Sequence, residues 1–150
     1  MEIRNYGLRL LGKREYSVKK FREKLRQKFP SKTEKIEKII TEFTEKEWLS
    51  DQRFLEIFLK EQIRQMSGPK KIRQKLMMQG VSAELINEKM NKFFIQKVKQ
   101  DLIKKLVQKK EQQLENKNLK PIEKKKKIAD FLFAHGFDWG DFRAQISIDK

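Results

Sequence analysis

Apolar residues in this chain recur every three or four positions, and no stretch of useful length alternates between apolar and polar positions. Spacing of this kind places apolar side chains on one face of an α-helix, whereas alternation would indicate strands. The pattern therefore predicts an all-α protein of about nine helices. Helix by helix, the apolar residues are Ile3, Tyr6 and Leu10; Val18, Phe21 and Leu25; Ile36, Ile39, Ile40 and Phe43; Phe54, Phe58 and Met66; Ile72 and Leu76; Leu85, Ile86, Met90 and Phe93; Val98, Leu102, Ile103, Leu106 and Val107, continuing toward Leu114; Ile128 and Leu132; and Trp139, Phe142 and Ile146.

Residues that begin and end helices stand between these apolar patterns. Serine or aspartate at a helix start caps free backbone N–H groups, proline fits the first turn, and glycine adopts the left-handed conformation that ends a helix. The expected starts are Ser31 with Glu34 as a capping box, Ser50-Asp51, Pro69, Ser82, Pro121, and Asp138 with Asp141; the expected ends are Gly68, Gly80 and Gly136.

Three segments of the chain resemble one another: YSVKKFREKLRQKF (16–29), SGPKKIRQKLMMQGV (67–81) and PIEKKKKIADFLFAHGF (121–137). Aligning one leucine of each segment brings Leu25, Leu76 and Leu132 into register. We expect three tandem three-helix repeats, over approximately 1–48, 49–95 and 96–150, in an elongated, curved arrangement in which each repeat contacts its neighbours. A single compact bundle is the alternative architecture.

Composition favours a polyanionic partner. The net charge is +16, charged residues make up 39% of the chain, and the pI is about 10.0. No Cys is present, which excludes disulfides and thiolate metal sites. Glu2 and Arg4 stand where a secretory signal would be apolar, and no run of ~18 apolar residues could span a membrane. We expect a cytoplasmic protein without a membrane partner.

The positive charge is sorted along the chain. Residues 9–28 hold nine Lys or Arg and two Glu, residues 60–80 six and one, and residues 97–127 twelve and four. By contrast, segments 31–47, 82–92 and 138–149 have net charges of −1, 0 and −2. The first two helices of each repeat thus carry the excess, and stacked repeats would share one basic face. The alternative is a solvated face whose long side-chain stems cover apolar surface.

The basic face supplies the candidate contact residues, which suit DNA phosphate and protein carboxylates equally well. They are Lys19, Lys20, Arg22, Lys24, Arg64, Lys70, Lys71, Arg73, Lys75, Lys124, Lys125, Lys126 and Lys127. Most Phe residues stand at core spacing and are interpreted as packing residues. Met77-Met78 could form an adaptable contact patch, but core filling is the favoured interpretation.

Nothing in the sequence indicates catalysis. The sole His, His135, precedes Gly136 at a helix end, where such a residue complements the last carbonyls. No carboxylate pair is set up for acid–base work, and glycine-rich phosphate loops and metal-binding motifs are absent from the sequence. We expect no catalytic residues, no metal and no cofactor.

Several motifs together resemble the RecX regulatory proteins. They are Trp48-Leu49-Ser50-Asp51-Gln52-Arg53-Phe54, then Ser67-Gly68-Pro69-Lys70-Lys71-Ile72, Leu76 and Gly80-Val81, and the N-terminal GLRLLGKREYS from Gly7 to Ser17. Family signature residues matched here include Arg53, Phe54, Gly68, Pro69, Ile72 and Gly80, which we interpret as structural. Trp48, Ser50 and Lys20 depart from the family pattern, in which tyrosine, an acidic residue and an acidic residue are usual.

The resemblance implies a non-enzymatic regulator that binds RecA filaments on single-stranded DNA and inhibits filament growth, strand exchange and coprotease activity. We expect the protein to be monomeric. Double-stranded DNA is a further candidate ligand. The alternative is a general nucleic-acid-binding helical-repeat protein without a recombinase partner.

Overall fold

The computed structural model describes residues 2–146, and the regular secondary structure in that range consists of nine α-helices. The prediction of an all-α fold with about nine helices is confirmed. The helices are α1 (Glu2–Lys13), α2 (Val18–Lys28), α3 (Thr33–Glu45), α4 (Asp51–Arg64), α5 (Pro69–Met78), α6 (Ala83–Phe93), α7 (Gln96–Leu114), α8 (Pro121–Ala134) and α9 (Trp139–Ile146).

Local capping explains several helix boundaries. The Ser50 hydroxyl accepts the backbone N–H of Arg53 at 3.1 Å, and the Ser82 hydroxyl accepts that of Leu85 at 3.2 Å. Gly80 and Gly136 follow α5 and α8 with φ of 79° and 96°, in the left-handed region that glycine enters without strain. These predicted starts and ends are confirmed.

The predicted capping box at Ser31 is wrong. Helix α3 begins at Thr33, its N-cap is Lys32, and no side-chain hydrogen bond caps it. After α2 the chain turns through Pro30 and Ser31, where the Lys32 N–H donates to the Phe29 carbonyl at 3.1 Å. Ser31 therefore belongs to the turn and cannot occupy the N-cap position.

The chain divides into two compact units, the first formed by Met1–Phe58 and Lys75–Ile86. Helices α1, α2 and α3 pack on one another, and Phe21, Leu25 and Phe43 are fully buried between them. Phe21 and Leu25 lie one helical turn apart on α2, which is why a single face of this otherwise charged helix enters the core. The boundaries of the three predicted repeats stay a prediction.

Within the first unit, the start of α2 lies against the turn between α5 and α6. The Ser17 hydroxyl is fully buried and donates to the Gln79 carbonyl at 2.8 Å, while the Val18 N–H donates to Asp51 Oδ1 at 2.8 Å. A Cβ at Gly80 would come within 2.7 Å of Lys19 Cβ. The two hydrogen bonds satisfy the Gln79 carbonyl after the end of α5 and the Val18 N–H at the start of α2, which have no partner within their own helices.

The second unit consists of Leu59–Gln74 and Asn87–Lys150. Its helices α7, α8 and α9 pack on one another, and the buried residues include Leu106 on α7, Leu132 on α8 and Phe142 on α9. Ile72 of α5 is also fully buried in this unit. The leucines aligned among the three similar segments, Leu25, Leu76 and Leu132, are all buried, as predicted, and so are the apolar residues four positions before them, Phe21, Ile72 and Ile128.

A junction of similar design joins the start of α5 to the turn after α8. The Gly68 N–H donates to the His135 carbonyl at 2.5 Å, and the Lys70 N–H donates to the Gly136 carbonyl at 3.1 Å. In each unit, then, a repeat-aligned basic helix begins against the glycine turn that ends another such helix. This correspondence supports the interpretation of the sequence as tandem three-helix repeats.

The first unit has several ion pairs on its surface, and the pair between Arg4 and Glu42 lowers the pKa of Glu42. Arg4 donates to Glu42 Oε1 at 3.2 Å and to Glu42 Oε2 at 2.8 Å, and Lys46 approaches the same carboxylate at 2.9 Å. The hydrogen bond from Arg4, reinforced by that from Lys46, lowers the pKa of Glu42 from its usual 4.5 to about 2. A lowered pKa in the folded state means that folding favours the ionised carboxylate.

Glu42→Gln should therefore destabilise the protein in a pH-dependent way. The deficit should be fully present above about pH 4.5 and should shrink toward zero as the pH falls to about 2, because Glu42 is then protonated in the native protein too. Urea unfolding at pH 2.5, 3.5, 5 and 7 measures it. Glu45→Gln is the matched control, since Glu45 is exposed on the same helix; an equal pH dependence in both variants would contradict the assignment.

Candidate nucleic-acid interface

The second unit contains a groove beside the start of α5. Lys70, Lys71 and Gln74 line one side, Phe133 and Asp138 line the other, and the volume is about 310 Å³. The groove follows directly from the junction, because the hydrogen bonds of Gly68 and Lys70 hold the first turn of α5 against the α8–α9 turn. Two of the predicted contact residues are thus neighbours in one concave site.

The ammonium groups at this groove are available to a ligand. Within residues 2–146, no carboxylate lies at ion-pair distance from Lys70 or Lys71. Lys70 is exposed and Lys71 is half-buried, with its stem against Gly136. Asp138 is the one acidic residue lining the groove, so the lining carries a net positive charge.

The predicted contact residues on α2 differ in their availability. Arg22 is engaged by Glu37, to which it donates from Nε at 2.8 Å and from a terminal nitrogen at 3.1 Å. This hydrogen-bonded pair raises the pKa of Arg22 and lowers that of Glu37. Lys20 lies 3.5 Å from Glu23, whereas Lys19 and Lys24 are exposed and have no ion pair within the described residues. Among the predicted contact residues of this helix, Lys19 and Lys24 are thus the ones without an ion partner in the described range.

Three further candidates lie on α4 and α5. Arg64 is exposed and forms bidentate hydrogen bonds with Glu61, which raise the pKa of Arg64. Arg73 donates to the Asn87 side chain, and Lys75 is half-buried. An exposed ion pair at this spacing contributes little to stability, so the Arg64 guanidinium can change partners at small cost.

The lysine block of α8 lies at a different groove of the second unit. Lys124 and Lys125 line it together with Glu111 and Glu115, and its volume is about 350 Å³. Lys126 pairs with Asp130 at 3.4 Å, and Lys127 is exposed. Carboxylates therefore accompany this block more closely than they accompany Lys70 and Lys71. The expectation of one face shared by every basic helix stays a prediction.

The matched signature residues have structural roles, as interpreted. Arg53 donates to Glu15 Oε2 at 3.1 Å and to the carbonyls of Glu47 and Trp48 at 2.8 and 3.0 Å, which fastens the α3–α4 turn. Phe54 is buried, and a Cβ at Gly68 would lie 2.8 Å from the Phe137 nitrogen.

The favoured interpretation of Met77 and Met78 as core residues is wrong. Both side chains are exposed, at 66% and 72%. Leu76 already fills the inward position one turn after Ile72, and the next two residues of the helix turn away from the core. Trp139, which the sequence pattern gave as one of the apolar residues of the last helix, is 49% exposed. The pattern did not single out Phe133, which is 48% exposed. The run Phe131-Leu132-Phe133 contained the signal, since three consecutive helical residues cannot all face inward.

Two further observations concern metal binding and membrane spanning. No group of three or more His, Asp or Glu side chains among residues 2–146 is placed to hold a metal ion. Across the same residues, every helix is too short or too polar to cross a bilayer.

The fold and the site define a class of protein, namely basic proteins of three-helix repeats with a lysine-lined groove. Comparison with known proteins identifies the family within this class. The RecX family model described as "RecX, second three-helix domain" matches residues 50–90. A regulatory protein RecX of Actinobacillus pleuropneumoniae is 32% identical over 149 residues, covering 97% of this chain and 91% of the relative. One from Haemophilus influenzae is 33% identical over 140 residues, covering 92% and 88%.

The fold is likewise similar to solved RecX structures. A crystal structure of regulatory protein RecX has a TM-score of 0.82 at 20% identity and covers 97% of this chain and 70% of its own. RecX from Lactobacillus salivarius has a TM-score of 0.81 at 20% identity, covering 95% and 91%. This chain belongs to the RecX family of regulatory proteins.

Proposed function

We propose that this protein is a regulator of RecA. It binds RecA filaments on single-stranded DNA through its basic residues and inhibits filament growth, strand exchange and coprotease activity. The observation that carries the proposal is 32% identity over nearly the whole chain to proteins named regulatory protein RecX. Action without catalysis, as a monomer and in the cytoplasm, forms part of the proposal.

The positive charge of the groove in the second unit also supports this proposal. A nucleoprotein filament is an anionic polymer, and repulsion between like charges at helical spacing, such as Lys70 and Arg73 on α5, is relieved when phosphate or carboxylate groups approach. Lys19 and Lys24 present further cations without ion partners in the described residues. The proposed contact set remains the thirteen basic residues identified from the sequence, and we expect Lys70 and Lys71 to contribute most.

Inhibition of RecA tests the proposal. We expect the protein, at less than one molecule per RecA, to suppress ATP hydrolysis and strand exchange on single-stranded DNA, because blocking growth at a few points stops a whole filament. Full RecA activity at equimolar protein would contradict it. A pull-down with RecA in the absence of DNA separates a RecA partner from general nucleic-acid binding, which predicts retention on DNA alone.

A further inference from the structure

We infer that the groove beside α5 holds an unstacked base of single-stranded DNA, with Phe133 against the base and Lys70 and Lys71 against the flanking phosphates. This inference rests on the proposed function, because it names the part of the filament that the groove engages. Three features carry it: an exposed aromatic ring, two cations without ion partners, and a cavity of suitable size.

The exposed aromatic ring is that of Phe133, which lies next to a fully buried core residue. Phe133 lines the groove and remains 48% exposed, although the centre of its ring lies only 5.2 Å from that of the fully buried Phe142. Trp139 contacts the same Phe142, with ring centres 5.5 Å apart, and is itself half-exposed. Two aromatic side chains are thus braced by one core residue while their outer surfaces face solvent, which suits stacking on a base.

The cations complement this ring. Lys70 and Lys71 line the same groove, and no carboxylate among the described residues pairs with either. The backbone N–H of Lys70 donates to the Gly136 carbonyl, so the attraction for phosphate comes from the ammonium groups. A groove that combines lysines with an exposed aromatic ring is the usual arrangement for binding a single strand without sequence preference.

The size of the groove favours a single strand over a duplex. Its volume of about 310 Å³ lies at the lower end of the ~300–1,000 Å³ range of small-ligand pockets, which suits one base. Bases in a duplex are stacked within the helix and cannot reach a side-chain ring, whereas those of a single strand can be splayed onto one.

Two single-stranded oligonucleotides, one with bases and one without, test the inference. Affinity is measured by fluorescence anisotropy for a 20-residue oligo(dT) and for an abasic oligomer with the same number of phosphates. We expect the native protein to prefer oligo(dT), and Phe133→Leu to weaken oligo(dT) binding about fivefold or more, since stacking is worth ~1–3 kcal/mol per base. Phe133→Leu should leave abasic and duplex affinity unchanged. Lys70→Gln with Lys71→Gln should instead weaken both oligomers and lower the slope of log affinity against log salt.

Phe131→Leu is the matched control, because Phe131 stands two residues earlier on α8 and contacts His135 and Lys110 instead of the groove. Circular dichroism establishes that both variants fold. A measurement that needs no variant accompanies them: photocrosslinking of the native protein to an oligonucleotide carrying 5-iododeoxyuridine should give an adduct on Phe133 or Trp139. Adducts confined to other parts of the chain would overturn the inference, as would equal losses in the two Phe variants.

The outcomes distinguish this inference from the proposed function. If the native protein inhibits RecA but binds oligo(dT) and the abasic oligomer equally, the base site is wrong and the regulator proposal stands. If Phe133→Leu abolishes inhibition without changing oligo(dT) affinity, the groove holds a protein segment and the inference is overturned. If base-dependent binding is found and is lost in Phe133→Leu while RecA is unaffected, the base site stands and the regulator proposal fails.

Discussion

Replacing Lys70, Lys71 and Arg73 with glutamate is expected to raise the concentration needed for RecA inhibition roughly 100-fold. Each charge-assisted hydrogen bond to an anion contributes ~1.5–3 kcal/mol, and the loss of even two corresponds to a factor of this order. Reversal adds repulsion from the same anions. The readout is RecA ATP hydrolysis on single-stranded DNA, titrated with each variant.

The control for this experiment carries the same change of net charge on another helix. Lys32→Glu, Lys35→Glu and Lys38→Glu alter exposed residues at and near the start of α3, where acidic side chains also suit the positive end of the helix dipole. We expect inhibition to change little in this variant. If both triple variants lose inhibition equally, only overall charge matters; if neither does, α5 lies outside the interface.

Gly136→Ala is expected to lower the free energy of unfolding by about 3 kcal/mol. A non-glycine residue in the left-handed region is strained by ~1–2 kcal/mol, and forcing an atom into a packed contact costs a further ~1–3 kcal/mol. Both apply here, since φ is 96° and the new Cβ would lie 2.5 Å from Lys71 Cβ and 2.8 Å from its nitrogen. Urea unfolding followed by circular dichroism measures the loss.

Gly68→Ala should behave in the same direction, with a loss of about 2 kcal/mol from close packing. Its Cβ would meet the backbone of Gly136 and Phe137, which cannot swing aside as a side-chain end can. Gly140→Ala is the matched control in the same unit, because no atom of residues 2–146 outside its chain neighbours and its own helix backbone lies within 4 Å of its Cβ. It should be neutral or stabilise by up to about 1 kcal/mol. Equal effects at positions 136 and 140 would show that the junction is not tightly packed.

Much of the fold was predictable because the relevant interactions are local. The apolar spacing of Phe21 and Leu25 on α2, repeated by Ile72 and Leu76 on α5, identified the buried face of both helices. Serine caps at Ser50 and Ser82 act over three residues, so their effect can be read directly from the sequence. At Ser31 the same rule failed, because the turn after Pro30 competed for that position.

The candidate site was predictable only in part. Sequence reasoning assigned Lys70 and Lys71 to a basic surface on the strength of charge sorting, and both residues line a groove. Arg22 was assigned to the same set, but its guanidinium is held by Glu37, fifteen residues away on the next helix. Such partners depend on how helices pack, which a count of charges along the chain does not describe. The exposed Met77 and Met78 were misjudged because an apolar residue beside a core position need not share that position's face.

What this amino-acid sequence determines by itself is the helices, their buried faces, the excess of positive charge and membership of the RecX family. Periodicity and capping involve neighbours within about one helical turn, so they can be read along the chain. The tertiary structure alone decided that the His135–Gly136 turn meets the start of α5 and that Phe133 stands exposed beside two lysines. These residues are more than sixty positions apart, and only the packing of their helices sets the distance between them.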